Sequence, residues 1–165
     1  MATPYDELVD YKYKIVNTIE ESQPVMSLLV GKQNVDMNSE LVYEAYERQI
    51  FDYSFVIDTQ LTEKSLLLIE TEMRDRPNTI YKNISVFIQI VCHKDNLKLN
   101  GFKGVKGNRR DNLARQIANL LDGRKDFGIG KLMFTDCYVV SVPTPYTSLM
   151  LVFEVPNFVA GGNKC

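Results

Sequence analysis

With 165 residues, 45% of them apolar, the chain can bury one sizeable core, and nothing in its length asks for a second full domain. Lys and Arg total 19 against 21 Asp and Glu, a formal charge of -2 that argues against both a dedicated nucleic-acid binder and an acidic mimic, so any charged contact must be local. Cys92, Cys137 and Cys165 are odd in number and lack metal-like spacing, and two of them lie inside apolar strand candidates, so buried free thiols are expected. No basic-then-apolar leader begins the chain, and no apolar run approaches the roughly 20 residues that cross a bilayer; a protein made and folded in cytoplasm, without membrane contact, is the expectation.

Thr3-Pro4-Tyr5-Asp6 reads as a helix start, with a hydroxyl at the cap, proline at the first helical position and a carboxylate in the first turn. The helix should run to about Glu21, burying Leu8, Tyr11, Ile15, Val16 and Ile19 and turning Asp10, Lys14, Asn17 and Glu21 outward. Lys12 falls inside the apolar arc, where its stem would lie along the core and its ammonium reach water. Pro24 stops this helix. Residues 24–52 read as an excursion: a short turn over Val25 to Gly31, a polar connection through Asn34, Asp36 and Asn38, then Ser39 to Ile50, which fits a helix and an extended arm equally.

From Tyr53 the composition turns to strands, Tyr53 to Ile57, Ser65 to Met73 and Ile80 to Cys92, the last two joined by turn chemistry over Arg74 to Asn78. Leu66 to Ile69 and Val86 to Ile88 are continuous apolar runs, which imply a sheet with little water on either face and more cover than one domain of this size supplies. An amphipathic helix follows. Asn108 caps it, Asp111 stands at its third position, Leu113, Ile117, Leu120 and Leu121 line one face with Ala114 and Ala118, and Gly123 ends it, while Asn112, Arg115 and Asn119 fall opposite. A second hairpin spans Lys131 to Val142 and Ser148 to Val155 around Pro143-Thr144-Pro145-Tyr146, and residues 159–165 read as a flexible tail. The expected fold is α+β over residues 1–165: an antiparallel or mixed sheet of two hairpins, flanked by an N-terminal helix and a central amphipathic helix, in the order α, ββ, α, ββ.

Chemistry is sparse. The only histidine, His93, ends an apolar strand and reads as structural, and Asp52, Asp58, Glu63, Glu70 and Glu72 are scattered without ligand spacing, so no catalytic residue, metal or cofactor is expected. Gly101 to Gly107 looks like a phosphate loop leading into a helix N-terminus, but the dinucleotide and Walker spacings both fail; at Gly123 and Gly128 the spacing is met, yet Ile129 stands where the lysine must be. Asn83-Ile84-Ser85 formally matches a glycosylation acceptor, which strand placement argues against. Lys106, Arg109 and Arg110 crowd the start of the helix, where each close cation works against the macrodipole by about 0.3–1 kcal/mol, and Lys103 stands just upstream of them. They form either a hydrated surface or a contact for phosphates or an acidic partner.

The α, ββ, α, ββ order, the run Lys106-Gly107-Asn108-Arg109-Arg110-Asp111-Asn112-Leu113-Ala114-Arg115-Gln116-Ile117 and the exit Asp126-Phe127-Gly128-Ile129-Gly130 together resemble tail terminator and head-to-tail joining proteins of tailed bacteriophages. The resemblance is to a pattern and covers about residues 3–21 and 53–158. It implies a virion structural protein without catalytic role or cofactor, made in the host cytoplasm and resident at the junction of tail and neck. Its partners would be its own copies in a ring, usually a hexamer, together with the tail-tube protein and the neck proteins. The basic patch would meet DNA in the lumen weakly and without regard to sequence. Tyr43, Tyr46, Phe51 and Tyr53 would then touch a neighbouring subunit, or form a satellite core beneath a long loop. A head-completion adaptor, a tube protein and a baseplate component share the pattern. From another class, a small cytosolic module would bind an anion or nucleotide with the 101–110 loop and remain a monomer.

Overall fold

The computed structural model describes residues 4–58, 65–75, 81–127 and 130–159. In chain order these form α1 (Pro4–Glu20), α2 (Gln23–Val30), α3 (Glu40–Arg48), β1 (Ile50–Phe51), β2 (Ser65–Asp75), β3 (Tyr81–His93), a 3-10 turn over Lys94–Asn96, α4 (Arg109–Leu121), β4 (Met133–Val140) and β5 (Tyr146–Val159). The strands make one mixed sheet in the order β1-β2-β3-β5-β4, with β1 parallel to β2 and every other neighbour antiparallel. The protein is thus α+β.

Strand register explains how the helices are held. Ile88 lies opposite Ile69 on one side and Leu151 on the other, and Val86 opposite Thr71 and Phe153, so alternate residues of three strands share one face. That face packs under the helices, α1 over β2 and α4 over β3 and β5. Tyr11, Ile15 and Ile19 of α1 and Leu113, Ile117 and Leu121 of α4 enter the same core as Ile84, Val86, Ile88 and Ile90. Full burial of each such side chain stabilises by about 1.5–3 kcal/mol. Phe153, also fully buried, sits near the centre, its ring 5.4 Å from that of Phe134.

The excursion over 24–52 is more ordered than its sequence suggests. Gln23–Val30 is a full helix, with proline in its first turn and Gly31 closing it at φ +85°, a conformation side chains resist. Between the helix and extended readings of Ser39 to Ile50, the helix holds over Glu40–Arg48, because Val42 and Ala45 are buried on one side. Tyr53 to Ile57 is not a strand. Ile50 and Phe51 already occupy the edge of β2 beside Leu67 and Leu68, and the chain beyond them folds over the sheet's second face. There Ile57 meets Leu66, Leu68, Val91 and Tyr146, with Phe51, Phe55 and Val142 packed alongside.

That hook corrects the expectation of a sheet dry on both faces. Among the described residues the second face is covered at one corner, and β4 is exposed along nearly its whole length. Cys137, in β4, is therefore exposed where a buried thiol was expected, whereas Cys92 is buried as expected. Thr3, residues 76–80, which hold most of the turn expected over Arg74 to Asn78, Gly128, Ile129 and residues 160–165, Cys165 among them, lie outside the described residues.

Candidate functional site

The residues singled out around 101–110 meet where α2 ends and α4 begins. Asn108 caps α4 through its Oδ1, which accepts the Asp111 backbone N–H at 2.9 Å, while its Nδ2 donates to Asp111 Oδ2 at 2.8 Å. The Arg109 backbone N–H donates to the Leu97 carbonyl at 2.8 Å and that of Asn112 to Asn108 at 3.1 Å. The amides of Arg109, Asp111 and Asn112, which an anion at this helix start would use, are already satisfied by the chain itself. At Gly107, φ is +92°, and a Cβ there would stand 3.4 Å from the Asn112 amide nitrogen. Asn112 is buried, contrary to its expected outward position, because that amide donates to the Lys106 carbonyl at 2.9 Å and the Asn108 carbonyl at 2.8 Å.

The basic patch comes apart on folding. Arg109 is only 4% exposed. Its guanidinium turns inward and donates to the Leu28 carbonyl in the last turn of α2 and, through Nε, to the Asn96 carbonyl at 2.7 Å, lying 5.7 Å from the centre of the Phe102 ring. Burial lowers its pKa, partly offset by Cys92 nearby, and an arginine so placed remains a cation at neutral pH. Its charge, unfavourable at the start of α4, sits at the negative end of α2, where a cation is favoured. Arg110 is largely committed as well, Nε to Asp111 Oδ1 at 3.0 Å and Nη1 to Thr147 Oγ1 at 2.7 Å. Lys103 and Lys106 remain exposed.

The loop that carries them is pinned by Gln33, whose side chain both donates to the Lys103 carbonyl and accepts the Lys103 N–H, each at 3.0 Å. Between loop and helices lies a cleft of about 160 Å³, lined by Gln23, Leu28, Phe102, Asn112, Arg115 and Gln116 among others. Arg115 supplies its one charged side chain and itself donates to the side-chain Oδ1 of Asn112. His93 is equally occupied: Nδ1 accepts the Asp95 backbone N–H at 3.1 Å, capping the 3-10 turn, and its ring meets Tyr146 edge-on at 5.2 Å.

The four aromatic residues of the excursion divide. Tyr46 is half-buried and donates its hydroxyl to the Glu20 carbonyl at 3.1 Å; Phe51 packs edge-on against Phe55 at 5.1 Å within the second-face cluster. Tyr43 and Tyr53 are exposed. Lys12, expected to reach water, instead donates to Glu70 Oε1 at 2.8 Å and to the Asp52 carbonyl at 2.5 Å, tying α1 to the β1 edge. Burial pushes the Glu70 carboxyl up, but hydrogen bonds from Lys12, Thr71 and Ser54 and the Lys12 charge outweigh it and hold it below the usual range.

Two further exposed groups went unremarked in the sequence. Tyr5, Val9 and Tyr13 repeat every fourth residue along the outside of α1, and Met133, Phe134, Tyr138 and Val139 stand out from β4. The first was detectable as an apolar stripe off the core face; the second depended on strand order. Among the described residues no helix is long and apolar enough to cross a membrane.

No curated protein matches the chain. A family model described as YomW matches residues 8–155, from the core face of α1 into β5, and the family's name points to a phage-related protein of the Bacillus phage SPbeta kind. The chain, with this sheet and these exposed edges, belongs to the YomW family.

Proposed function

We propose that the chain is a virion structural protein, a tail terminator or head-to-tail joining subunit that assembles as a ring, with a hexamer expected, caps the tail tube and connects it to the neck. The observation that supports this most directly is the exposure of large apolar side chains along β4, at one edge of the sheet, and on the outer side of α1, in a chain of a phage-related family. A free monomer would leave those groups in water, and neighbouring subunits cover them.

In this reading the protein performs no catalytic step and holds no cofactor. It is made in the host cytoplasm and resides at the neck. Its charged contacts with DNA in the lumen fall to Lys103 and Lys106, since Arg109 and Arg110 are engaged within the fold. Such contacts are weak, blind to sequence and screened by salt.

Negative-stain electron microscopy and mass photometry of the purified protein, across a concentration series and with and without tail-tube protein, test the proposal. Rings with a central hole are expected. A particle that stays monomeric in every condition, tube protein included, overturns it.

A further inference from the structure

We propose that the hook over residues 52–58 opens from the sheet's second face as a unit while the rest of the fold stays closed, and that the Lys12–Glu70 pair is its latch. Neither the hook nor its latch depends on the ring reading.

Between β1 and the second face the chain has to round the edge of β2. β1 pairs only with Leu67 and Leu68, so beyond them that edge has no strand beside it among the described residues. Leu66, Leu68 and Glu70 alternate onto the second face, and of the three only Glu70 stands past the end of β1. Lys12 reaches it from α1, with Nζ donating to Glu70 Oε1 at 2.8 Å and to the Asp52 carbonyl at 2.5 Å. The other carboxylate oxygen, Oε2, accepts the Ser54 backbone N–H at 3.4 Å. One ion pair therefore holds the chain on both sides of Tyr53, at the point where it rounds the edge.

Past that point the hook is held by apolar contact. Among the described residues, the backbone of 52–57 makes no hydrogen bond to other backbone groups. Ile57 is the anchor, 3% exposed and packed on Leu66, Leu68, Val91 and Tyr146, with Phe55 beside it and edge-on against Phe51 at 5.1 Å. Val56 is 89% exposed and adds nothing to this hold. The sheet beneath is of another kind, since β2 is paired to β3 along its whole length. A segment with one buried anchor and no backbone ladder opens at a lower free energy than the strands it covers. Its opening bares Leu66, Leu68, Val91 and Tyr146, an apolar patch that the closed hook keeps from water.

Thiol labelling reads hook and core in one molecule, because Cys92, buried in β3 on the helix face, reports opening of the core. In a Cys137→Ser, Cys165→Ser background, Ile57→Cys is treated with a maleimide in native buffer, and each site is followed by mass spectrometry. The new thiol is expected to react at least about tenfold faster than Cys92. Adding Lys12→Met or Glu70→Gln should speed it about two- to fivefold, the range of a half-exposed ion pair. Ile117→Val, which loosens the fully buried helix face, should speed Cys92 and leave the hook unchanged. Leu68→Cys, beneath the hook, is expected to follow the same pattern and takes the place of Ile57→Cys if that variant does not fold. Equal rates at the new thiol and at Cys92, both raised by Ile117→Val, overturn separate opening. A new thiol that reacts as fast as free cysteine overturns the closed hook. One that outpaces Cys92 but responds to neither Lys12→Met nor Glu70→Gln overturns the latch.

Discussion

Arg109, in the first turn of α4, donates its guanidinium to the carbonyl of Leu28, 81 residues earlier, and so closes the C-terminus of α2. Three segments meet at this one buried cation: α2, the Lys94–Asn96 turn through the Asn96 carbonyl, and α4 itself. Removing the side chain would leave two carbonyl groups without their donor in a buried setting, at roughly 1–3 kcal/mol for each group so orphaned. Arg109→Ala is expected to lower unfolding stability by about 3 kcal/mol in urea titrations, whereas Lys103→Ala should stay within about 0.5 kcal/mol of the parent. Equal, small effects from the two would show that the inward cation is not structural.

Gly31 closes the same helix end at φ +85°, with its missing Cβ 3.6 Å from Arg109 Nη1. Space is adequate there, so the cost of Gly31→Ala is conformational. The left-handed backbone disfavours an L side chain by about 1–2 kcal/mol, and a fall in stability of that size is expected by chemical denaturation.

Phe153 is buried at the centre of the sheet's helix face, opposite Val86 and beside Phe134. Its replacement by alanine leaves a cavity between sheet and helices that the surrounding side chains fill only in part, at about 3–5 kcal/mol. Thermal unfolding followed by far-ultraviolet circular dichroism should show a correspondingly earlier transition.

The Lys12–Glu70 pair is a pH-dependent tie between α1 and β2. Because folding holds the Glu70 carboxyl below its ordinary value, its stabilisation is fully present above the unfolded carboxylate pKa of about 4.3 and is lost as pH falls through the folded pKa. Glu70 is 35% exposed, and solvent screening limits the pair to about 0.5–1 kcal/mol near neutrality. Glu70→Gln should therefore be less stable than the parent at pH 7, and the gap should close under acid. A gap that stayed constant down to strongly acidic pH would show that the carboxylate charge is not what matters.

Burial pushes the Cys92 thiol up to about 11, against smaller opposing effects from Ser65, Arg109 and Arg110. Cys137 is exposed, its thiol raised by partial burial and then by Asp136. In a Cys165→Ser background, a thiol reagent should modify one cysteine of the native protein, Cys137, with a rate that rises roughly tenfold per pH unit below its pKa. Cys92 should react only on unfolding, and prompt modification of both in native buffer would contradict the burial of β3.

Much of the framework was legible because the signals are local. Pro4 with acidic residues behind it starts α1, Asn108 and Asp111 form the cap read from their spacing, and Gly123 adopts a left-handed φ of +79° after α4. The paired apolar runs marked β2 and β3 as neighbours, and their register puts alternate residues in the core. Less legible were α2, read as a single turn, and Tyr53 to Ile57, whose aromatic residues suit a strand but close over the second face instead.

The sequence by itself determined which segments are amphipathic, where helices begin and end, and the α+β order, since these follow from periodicity and from groups only a few residues apart. Tertiary structure alone decided which of two adjacent arginines turns inward, because that depends on the end of α2 arriving from a distant part of the chain. It also decided that β4 is an edge. An apolar strand reads the same in the middle of a sheet as at its margin, and only the spatial order β1-β2-β3-β5-β4 leaves Val139 and its neighbours facing water.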